Sequence, residues 1–232
     1  MRYQGGKSII AKEIFEIIKK ITTDHKWSGE YFEPFCGLLH VAVHFANEGK
    51  SVLANDINLD LIMLLRAIKR GWIPPTVYSK EIYDYYKASN THSAERGFYG
   101  FACAYSGIFF AGYNIDDENF NRFRRLLMEL KDPLQNIKLV SNSYDSFKPK
   151  KMTIYCDPPY RGNKFDTEHF SNFDSDAFWD TMRKWSKNNL VFISEYEAPD
   201  DFLCIWKKKM KTKFNNVQKE RVERLFIYKF SS

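Results

Sequence analysis

The chain has 232 residues, 44% of them hydrophobic and 17% aromatic, which is the composition of a folded globular protein and excludes a disordered one. Its 35 lysines and arginines outnumber its 29 aspartates and glutamates, and the net charge of +6 is compatible with a nucleic-acid partner. No apolar run reaches membrane-spanning length, no signal-peptide core begins the chain, and the four cysteines form no C-x-x-C pair. We therefore predict a soluble intracellular protein with free thiols, no disulfide framework, no zinc site and no membrane segment.

The N-terminal segment combines glycines, a lysine and a predicted helix. Tyr3-Gln-Gly-Gly-Lys7 precedes an amphipathic run from Ile9 to Ile21, in which isoleucines recur at helical spacing. Glycine N–H groups and a lysine at a helix start are suited to binding an anionic group. The spacing is not that of a P-loop, and a flexible tail with a serine cap is the alternative.

The next part of the chain has the pattern β-α-β-α, with a glycine turn after the first strand and an acid after the second. Asp56 follows Gly37 by 19 residues. In doubly wound folds an acid at this place accepts hydrogen bonds from the ribose hydroxyls of a nucleoside. The alternative is that Asp56 only caps the following helix. The predicted elements are strands over 30–37 and 51–56 and helices over 38–47 and 59–69.

Between residues 71 and 136 the alternation of strands and helices stops. Helices are predicted over 78–86, 95–104 and 118–131, and the glycine-punctuated aromatic segment 105–114 is predicted to be a loop or hairpin. We predict that 71–136, called the inserted lobe below, is mostly helical and contacts nucleic acid through basic and aromatic side chains. A lobe that only packs, with its arginines in solvent, is the alternative.

The second half of the chain returns to strands. A strand over Ile137–Val140 precedes Ser143 and Tyr144, and a strand over Met152–Cys156 ends at Asp157-Pro-Pro-Tyr160. Two prolines stop a central strand and form a rigid turn. In open α/β sheets ligands bind at the carboxyl ends of the strands, so this turn would present a carboxylate, a proline carbonyl and an aromatic ring to a flat amino-bearing ring. The alternative is an ordinary proline-rich loop.

Further elements complete the predicted sheet. The polar loop from Arg161 to Asn172 is long enough to be a mobile lid, and Asp174 is the predicted N-cap of a helix over 174–187. Strands are predicted over 190–196, 202–206 and 224–230. The run Lys207–Lys213, with five lysines, is interpreted as a solvated hairpin tip, with phosphate contact as the alternative.

Taken together, these motifs resemble one family. The chain resembles the Dam-like (D12 class) N6-adenine-specific DNA methyltransferases, especially the small type found in phages and viruses. The order of the motifs also matches the family, and the likeness covers essentially the whole chain. The matching pieces are Tyr3-Gln-Gly-Gly-Lys7, Phe32-Glu-Pro-Phe-Cys-Gly37, Asn55-Asp-Ile-Asn58, Tyr155-Cys-Asp-Pro-Pro-Tyr160 and Ile193-Ser-Glu-Tyr196 with Ala198-Pro-Asp-Asp-Phe202.

The resemblance implies an α/β fold with the Rossmann-like sheet of S-adenosylmethionine-dependent methyltransferases. Residues 1–70 and 137–232 would form the catalytic domain, and the inserted lobe would recognise the target. No metal is implied, and the product would be S-adenosylhomocysteine. The implied cofactor-binding residues are Tyr3, Lys7, Phe35, Gly37, Asp56, Ser143, Tyr144 and Asp157. The implied catalytic residues are Asp157, Pro158 and Tyr160.

The implied chemistry agrees with these residue types. Adenine N6 is a poor nucleophile because its lone pair is delocalised into the ring. Hydrogen bonds from N6 to the Asp157 carboxylate and the Pro158 carbonyl would localise that lone pair, and placement would supply much of the rate. The target base must leave the duplex, and Tyr160 would stack on it. Lys7 would lie near the methionine end of the cofactor.

Some residues depart from the family pattern, and some alternatives stay open. Leu38-Leu39-His40 follows Gly37 where relatives keep glycine or small residues, and segment 106–114 lacks an arginine that could read guanine.

The alternatives are methylation of RNA adenine or of cytosine N4 in DNA, or a catalytically weak nucleic-acid-binding protein of the same fold. The expected partner is double-stranded DNA, with a cognate restriction endonuclease as a further candidate. The expected setting is intracellular, including a virus-infected host cell.

Overall fold

The computed structural model describes residues 7–160, 173–214 and 217–229, and within 211–219 it describes the backbone alone. Tyr3 and the predicted lid over 161–172 lie outside the described residues. The helices are α1 Ala11–Asp24, α2 Ala42–Asn47, α3 Leu59–Lys69, α4 Lys80–Ala88, α5 Ala94–Ala102, α6 Asp117–Glu129 and α7 Ser175–Ser186. The strands are β1 Tyr31–Glu33, β2 Val52–Asn55, β3 Ile137–Val140, β4 Thr153–Cys156, β5 Leu190–Glu195, β6 Phe202–Phe214 and β7 Val217–Tyr228.

Within the described residues the strands form one sheet in the order β3-β2-β1-β4-β5-β7-β6. The first five strands are parallel, while β7 runs antiparallel to both β5 and β6. The chain moves outward from β1 to β3 on one side and from β4 to β5 on the other. Doubly wound folds bind their ligands in a crevice at such a reversal of the strand order, which here falls at the carboxyl ends of β1 and β4. The predicted doubly wound α/β class is confirmed.

Helices cover both faces of the parallel strands, because those strands are apolar on both faces. Neighbouring residues of β1 enter different cores: Tyr31 packs with α1, α2 and α3, and Phe32 packs with α7. Every residue of β1 and β4 is buried. The two cores therefore hold the ends of β1 and β4 in fixed positions beside the crevice.

The inserted lobe packs directly on α3. A side chain at Gly97 of α5 would meet the backbone oxygen of Asp60 at 2.3 Å, so α5 approaches α3 as closely as glycine permits. Phe98 of α5 and Phe120 of α6 are buried in the same core as Leu64 of α3. The lobe thus shares its core with the helices that cover the sheet. Its boundaries and its role in recognition stay predictions.

One buried carboxylate joins α3 to the start of α5. Asp60 is fully buried, and it accepts hydrogen bonds from the backbone N–H of Ser93 at 2.9 Å and from the Arg96 guanidinium. The Nδ1 atom of His92 lies 3.0 Å from the same carboxylate. Arg96 also donates to the carbonyl oxygens of Tyr86 and Ser89, each at 3.1 Å. The network therefore fastens the inserted lobe to α3.

Removing the Asp60 carboxylate is expected to destabilise the fold. Asp60→Ala would leave Arg96, whose side chain is 11% exposed, without its carboxylate, and such a loss costs about 3–5 kcal/mol. Asp84→Ala is the control, because its pair with Lys80 is exposed on one helix and contributes at most about 0.5 kcal/mol. Urea denaturation of both variants measures the difference. Equal losses from Asp60→Ala and Asp84→Ala would contradict the anchoring role.

The closing hairpin differs from its prediction. Strands β6 and β7 are much longer than the predicted 202–206 and 224–230, and the run Lys207–Lys213 lies inside β6 rather than at a solvated tip. This run pairs with β7 from Arg224 to Gln218, and Lys208 forms an ion pair with Glu13 of α1. Lysines are common on edge strands because they discourage pairing with other chains. The prediction treated the charge run as a loop signal and missed the strand.

Other elements agree with the sequence. Helix α3 and strand β3 have the predicted bounds, and Asp174 caps α7 by accepting from the N–H groups of Asp176 at 3.0 Å and Ala177 at 2.9 Å. Segment 105–114 is a loop, closed by a bridge between Ala104 and Tyr113. None of the helices in the described ranges is long and apolar enough to cross a membrane.

Candidate active site

The turn after β1 and the acid after β2 meet at the crevice. Gly37 has a φ of +47°, a conformation that glycine adopts without strain. Its N–H donates to Oδ2 of Asp56 at 3.0 Å, and the N–H of Asn58 donates to Oδ1 at 2.9 Å. An ionised carboxylate has about four acceptor positions. Gly37 and Asp56, singled out by their spacing in the sequence, are therefore in direct contact.

Leu38-Leu39-His40 continues this turn in an unusual conformation. Leu39 has a φ of +61°, which is rare for a non-glycine residue, and its side chain is fully buried. Burial, together with the charges of His44 and Lys7, lowers the pKa of His40 to about 4, so its imidazole is neutral at pH 7. Within the described residues the Nε2 atom of His40 is buried without a hydrogen-bond partner. Burial of the leucine side chain offsets the backbone strain at position 39.

Two aromatic side chains form a shelf beside the turn. The rings of Phe35 and Tyr144 lie 5.1 Å apart, and each lies 5.8 Å from the ring of Phe178 in α7. Ser143, the preceding residue, is exposed and donates to the carboxylate of Asp145. The shelf therefore includes Phe35 and Tyr144 from the predicted cofactor set, and Ser143 lies at its solvent side.

The turn after β4 is joined to the N-terminal segment. The Nζ atom of Lys7 lies 2.9 Å from Oδ1 of Asp157, and it donates a hydrogen bond to the Tyr160 hydroxyl. The same atom lies 4.4 Å from the centroid of the Tyr160 ring. Lys7, which is 153 positions from Tyr160 in the sequence, thus forms one polar cluster with Asp157 and Tyr160 at the carboxyl end of β4. Pro158, also predicted to be catalytic, is buried between Asp157 and Tyr160.

Burial and charge oppose each other at this cluster. Burial raises the pKa of Asp157, the charge and hydrogen bond of Lys7 lower it in part, and the charge of Glu223 raises it further. Burial alone would lower the pKa of Lys7, but the charges of Asp157 and Glu223 outweigh that effect and the pKa of Lys7 is raised. Lys7 is therefore a cation at neutral pH, and its charge favours the ionised form of Asp157.

A fourth member of the cluster was missed by the sequence analysis. Glu223 in β7 is 3% exposed, and its Oε2 atom accepts from Lys7 Nζ at 3.2 Å and from the Tyr160 hydroxyl at 3.1 Å. Its Oε1 atom lies 3.1 Å from Nε of Arg221. Residues 219–224 of β7 are all charged except Val222, and the predicted strand began only at Arg224. The sequence signal that could have identified it is the alternation of side chains between the two faces of a strand. This alternation places Glu223 on the same face as buried Leu225.

The Tyr160 ring is held on several sides. It is 8% exposed, and its edge packs against the Tyr196 ring with a centroid distance of 4.6 Å. Arg221 donates to the Tyr196 hydroxyl at 3.4 Å. The Lys7 ammonium binds the Tyr160 hydroxyl and lies 4.4 Å from the ring centroid, at the hydroxyl edge of the ring on which a base was predicted to stack.

A second buried acid lies next to this cluster. Glu33 at the end of β1 is 2% exposed, and the Tyr31 hydroxyl donates to its Oε1 atom at 2.7 Å. Burial raises the pKa of Glu33 to about 8, and the charge of Asp157 contributes to the rise. At neutral pH the Glu33 carboxyl is therefore mostly protonated, which limits the negative charge around Asp157.

The raised pKa of Glu33 gives an expected pH dependence of stability. Because the folded-state pKa of about 8 exceeds the ordinary value of 4.5, its contribution is complete below pH 4.5 and is lost as the pH rises through 8. Glu33→Gln does not titrate. The free energy of unfolding of the wild type should therefore fall relative to the variant, by up to about 1.4 kcal/mol per pH unit between the two values. Urea denaturation across this pH range tests the expectation, and parallel curves would contradict it.

A comparison with known protein families identifies the family of this chain. Residues 3–147 match the D12 class N6 adenine-specific DNA methyltransferase family, which is well over half of the chain. The chain belongs to this family. The family predicted from the motifs is thereby confirmed, and the protein is a methyltransferase. The matched range contains Lys7, Gly37 and Asp56 and ends before β4, so Asp157 and Glu223 lie beyond it.

Solved structures of other methyltransferases are similar at low identity. A proposed RNA methyltransferase from Pyrococcus horikoshii is 10% identical with a TM-score of 0.42, covering 92% of this chain and 80% of its own. Magnesium protoporphyrin IX methyltransferase from Synechocystis PCC 6803 is 10% identical with a TM-score of 0.38, covering 96% and 83%. At these scores neither likeness bears on a residue of the site. No protein of curated function matches the chain at a significant level.

Proposed function

We propose that this methyltransferase transfers a methyl group from S-adenosylmethionine to N6 of an adenine in double-stranded DNA. The observation that carries the proposal is the position of Asp157. Its carboxylate lies at the carboxyl end of β4, at the reversal of the strand order, and it is paired with Lys7 at 2.9 Å. The family to which the chain belongs and the Asp157-Pro-Pro-Tyr160 turn support the adenine N6 assignment.

The residues around the β1 turn suit the proposed cofactor. Asp56 would accept from the ribose hydroxyls, because it is the acid that follows β2 and its carboxylate already closes the Gly37 turn. Phe35, Tyr144 and Ser143 would contact the adenine, since two aromatic rings and a hydroxyl suit a flat heterocycle. S-adenosylmethionine, when bound, supplies a methyl group on a positively charged sulfur and leaves as S-adenosylhomocysteine. Tyr3 stays a predicted contact outside the described residues.

Lys7 stands between the two halves of the proposed reaction. Its ammonium has three donors and three oxygen partners within 3.2 Å, on Asp157, Tyr160 and Glu223. The predicted contact with the methionine end of the cofactor would therefore replace one of these partners. In either arrangement Lys7 keeps a positive charge beside Asp157.

Asp157 and Pro158 would act on the target amino group. The Asp157 carboxylate and the Pro158 carbonyl accept the two N–H groups of N6, which localises the nitrogen lone pair toward the incoming methyl group. Such preorganised acceptors cost no rearrangement during the reaction. Asp157 does not need to be a strong base, because the N6 proton becomes acidic only after the methyl group has been transferred. That proton leaves through Asp157 to solvent.

The duplex must be opened for this chemistry. A base inside the stack cannot reach Asp157, so the target adenine would be flipped into the crevice. Tyr160 would contact its ring. The inserted lobe, through segment 105–114 and the arginines of α6, would contact the DNA around the target. A cognate restriction endonuclease and a phage or viral setting remain predictions from the resemblance alone.

Methyl incorporation tests the proposed substrate. The protein is incubated with S-adenosylmethionine labelled in the methyl group and with double-stranded DNA or RNA of the same sequence. The proposal expects label in DNA and little label in RNA. Label confined to RNA would replace DNA by RNA as the substrate. No label in either substrate would favour the catalytically weak nucleic-acid-binding alternative.

A further inference from the structure

Glu223 is more closely bound to the reacting cluster than its place in the sequence suggests. It lies in β7, beyond the matched family range and separated from β4 by β5. One of its oxygens accepts from both Lys7 and Tyr160, at 3.2 and 3.1 Å. The other lies 3.1 Å from Arg221. A carboxylate that is 3% exposed is thus connected to three side chains, two of them in the candidate site.

Stability alone does not account for such an arrangement. Removing a carboxylate and an ammonium from water costs several kcal/mol per ion, and replacing a buried ion pair by apolar residues is often neutral or stabilising. Glu223 and Asp157 also repel each other, since the charge of Glu223 raises the pKa of Asp157. Two carboxylates that share one lysine therefore point to a role in the reaction.

Lys7 stands where the target amino group is proposed to bind. Its ammonium is bound to Asp157 and to the Tyr160 hydroxyl, and the proposed mechanism gives the Asp157 carboxylate to the target amino group. The base must therefore displace Lys7 from Asp157. A displaced ammonium without a partner would be a buried unpaired charge, which is strongly unfavourable. Because Glu223 is already 3.2 Å from Lys7, a small movement gives Lys7 a complete ion pair.

We propose that Glu223 is a positioning residue that holds Lys7 and Tyr160 beside Asp157 and takes over the Lys7 ion pair when the target amino group binds Asp157. This inference rests on the proposed function. Glu223 does not itself touch the target base. Its role is to free the Asp157 carboxylate for the target amino group without leaving Lys7 unpaired.

Several charged and titratable groups face this cluster, and they determine its response to pH. Lys7, Tyr160 and Arg221 contact Glu223 directly, and Arg221 also reaches Tyr196. The electrostatic neighbours of Asp157 are Lys7, Glu223, Glu33, Tyr155, Tyr160 and Cys156. Of these, Glu223 is a negative charge that can be removed without changing either the lysine or the reacting carboxylate.

Steady-state kinetics of Glu223→Gln provide the first test. The amide keeps the shape and one oxygen acceptor but removes the charge that would receive Lys7. We expect kcat/KM for DNA to fall by roughly 10- to 100-fold, by analogy with residues that orient the ligands of metal sites, while the Kd for S-adenosylmethionine stays near that of the wild type. The matched control is Glu220→Gln, an exposed glutamate of the same strand, which should retain wild-type kinetics. Equal kinetics for both variants would overturn the proposal.

A titration of Asp157 provides a second test that does not depend on activity. In protein labelled with ¹³C at the aspartate carboxyls, the Asp157 signal is assigned by its loss in Asp157→Asn. The pKa of Asp157 should be lower in Glu223→Gln than in the wild type, because one repelling charge is gone. Glu223→Asp keeps the charge and should leave this pKa near the wild-type value while lowering kcat/KM, since its reach is shorter. If Glu223→Gln does not fold, Glu223→Asp still tests the role of Glu223 through its kcat/KM.

These outcomes separate the two proposals. If the wild type methylates neither DNA nor RNA, the proposed function fails, and the Asp157 titration still decides whether Glu223 acts on that carboxylate. If the wild type methylates DNA, while Glu223→Gln changes neither kcat/KM nor the Asp157 titration, only the role of Glu223 fails. A lower Asp157 pKa together with a reduced kcat/KM supports it.

Discussion

Asp157→Asn should remove nearly all methyl transfer while leaving the protein folded. Asparagine has almost the same shape, but its amide keeps one oxygen acceptor and replaces the other by an NH2 group, which is a donor where the target amino group needs an acceptor. Loss of a preorganised group of this kind lowers kcat by about 100- to 1,000-fold. Single-turnover incorporation of a labelled methyl group measures the loss.

The thermal stability of Asp157→Asn should not fall together with its activity. In the variant Lys7 keeps its ion pair with Glu223 at 3.2 Å, and the repulsion between Asp157 and Glu223 disappears. The melting temperature of Asp157→Asn should therefore equal or exceed that of the wild type. Asp176→Asn, an exposed aspartate in α7, controls for the substitution itself. A variant at position 157 with wild-type turnover would contradict the proposed mechanism.

Asp56→Ala should weaken cofactor binding with a smaller effect on the chemical step. The variant loses the acceptor for the Gly37 and Asn58 N–H groups and the proposed acceptor for the ribose hydroxyls. Hydrogen bonds to a charged group contribute about 1.5–3 kcal/mol, which corresponds to roughly a 10- to 150-fold increase in Kd. Calorimetric titration with S-adenosylmethionine measures this change.

A second variant, Asp56→Asn, provides an intermediate case for cofactor binding. Asp56→Asn retains one oxygen acceptor and the side-chain volume, so its Kd should lie between those of the wild type and Asp56→Ala. At saturating cofactor, kcat of both variants should stay close to that of the wild type. If Asp56→Ala binds the cofactor as tightly as the wild type, the nucleoside site has been placed wrongly.

The parts of the fold that depend on local signals could be predicted from the sequence. Helix α3 has an apolar face and an Asn58 cap whose side chain accepts from Leu61, and its bounds are as predicted. The contact between Gly37 and Asp56 was not itself predicted, but it agrees with their predicted places at the carboxyl ends of two strands, which share one edge of a parallel sheet. Each of these predictions needed only spacing and residue type.

The parts that depend on distant contacts could not be predicted in the same way. Lys7 and Glu223 are 216 residues apart, and neither the glycines near Lys7 nor the charged residues near Glu223 indicate the other. The lysines of β6 were assigned to a hairpin tip because charge signals exposure but does not distinguish an edge strand from a loop. Similarly, nothing in the sequence near Asp60 indicates that Arg96 and Ser93 converge on its carboxylate.

The central claim is that Asp157 directs a methyl group to N6 of adenine in DNA. Mass spectrometry of the nucleosides from duplex DNA, after incubation with S-adenosylmethionine and either the wild type or Asp157→Asn, tests it most directly. N6-methyl-2′-deoxyadenosine should form with the wild type, and almost none should form with the variant. Methylation of cytosine instead, or equal N6 methylation by both proteins, would contradict it.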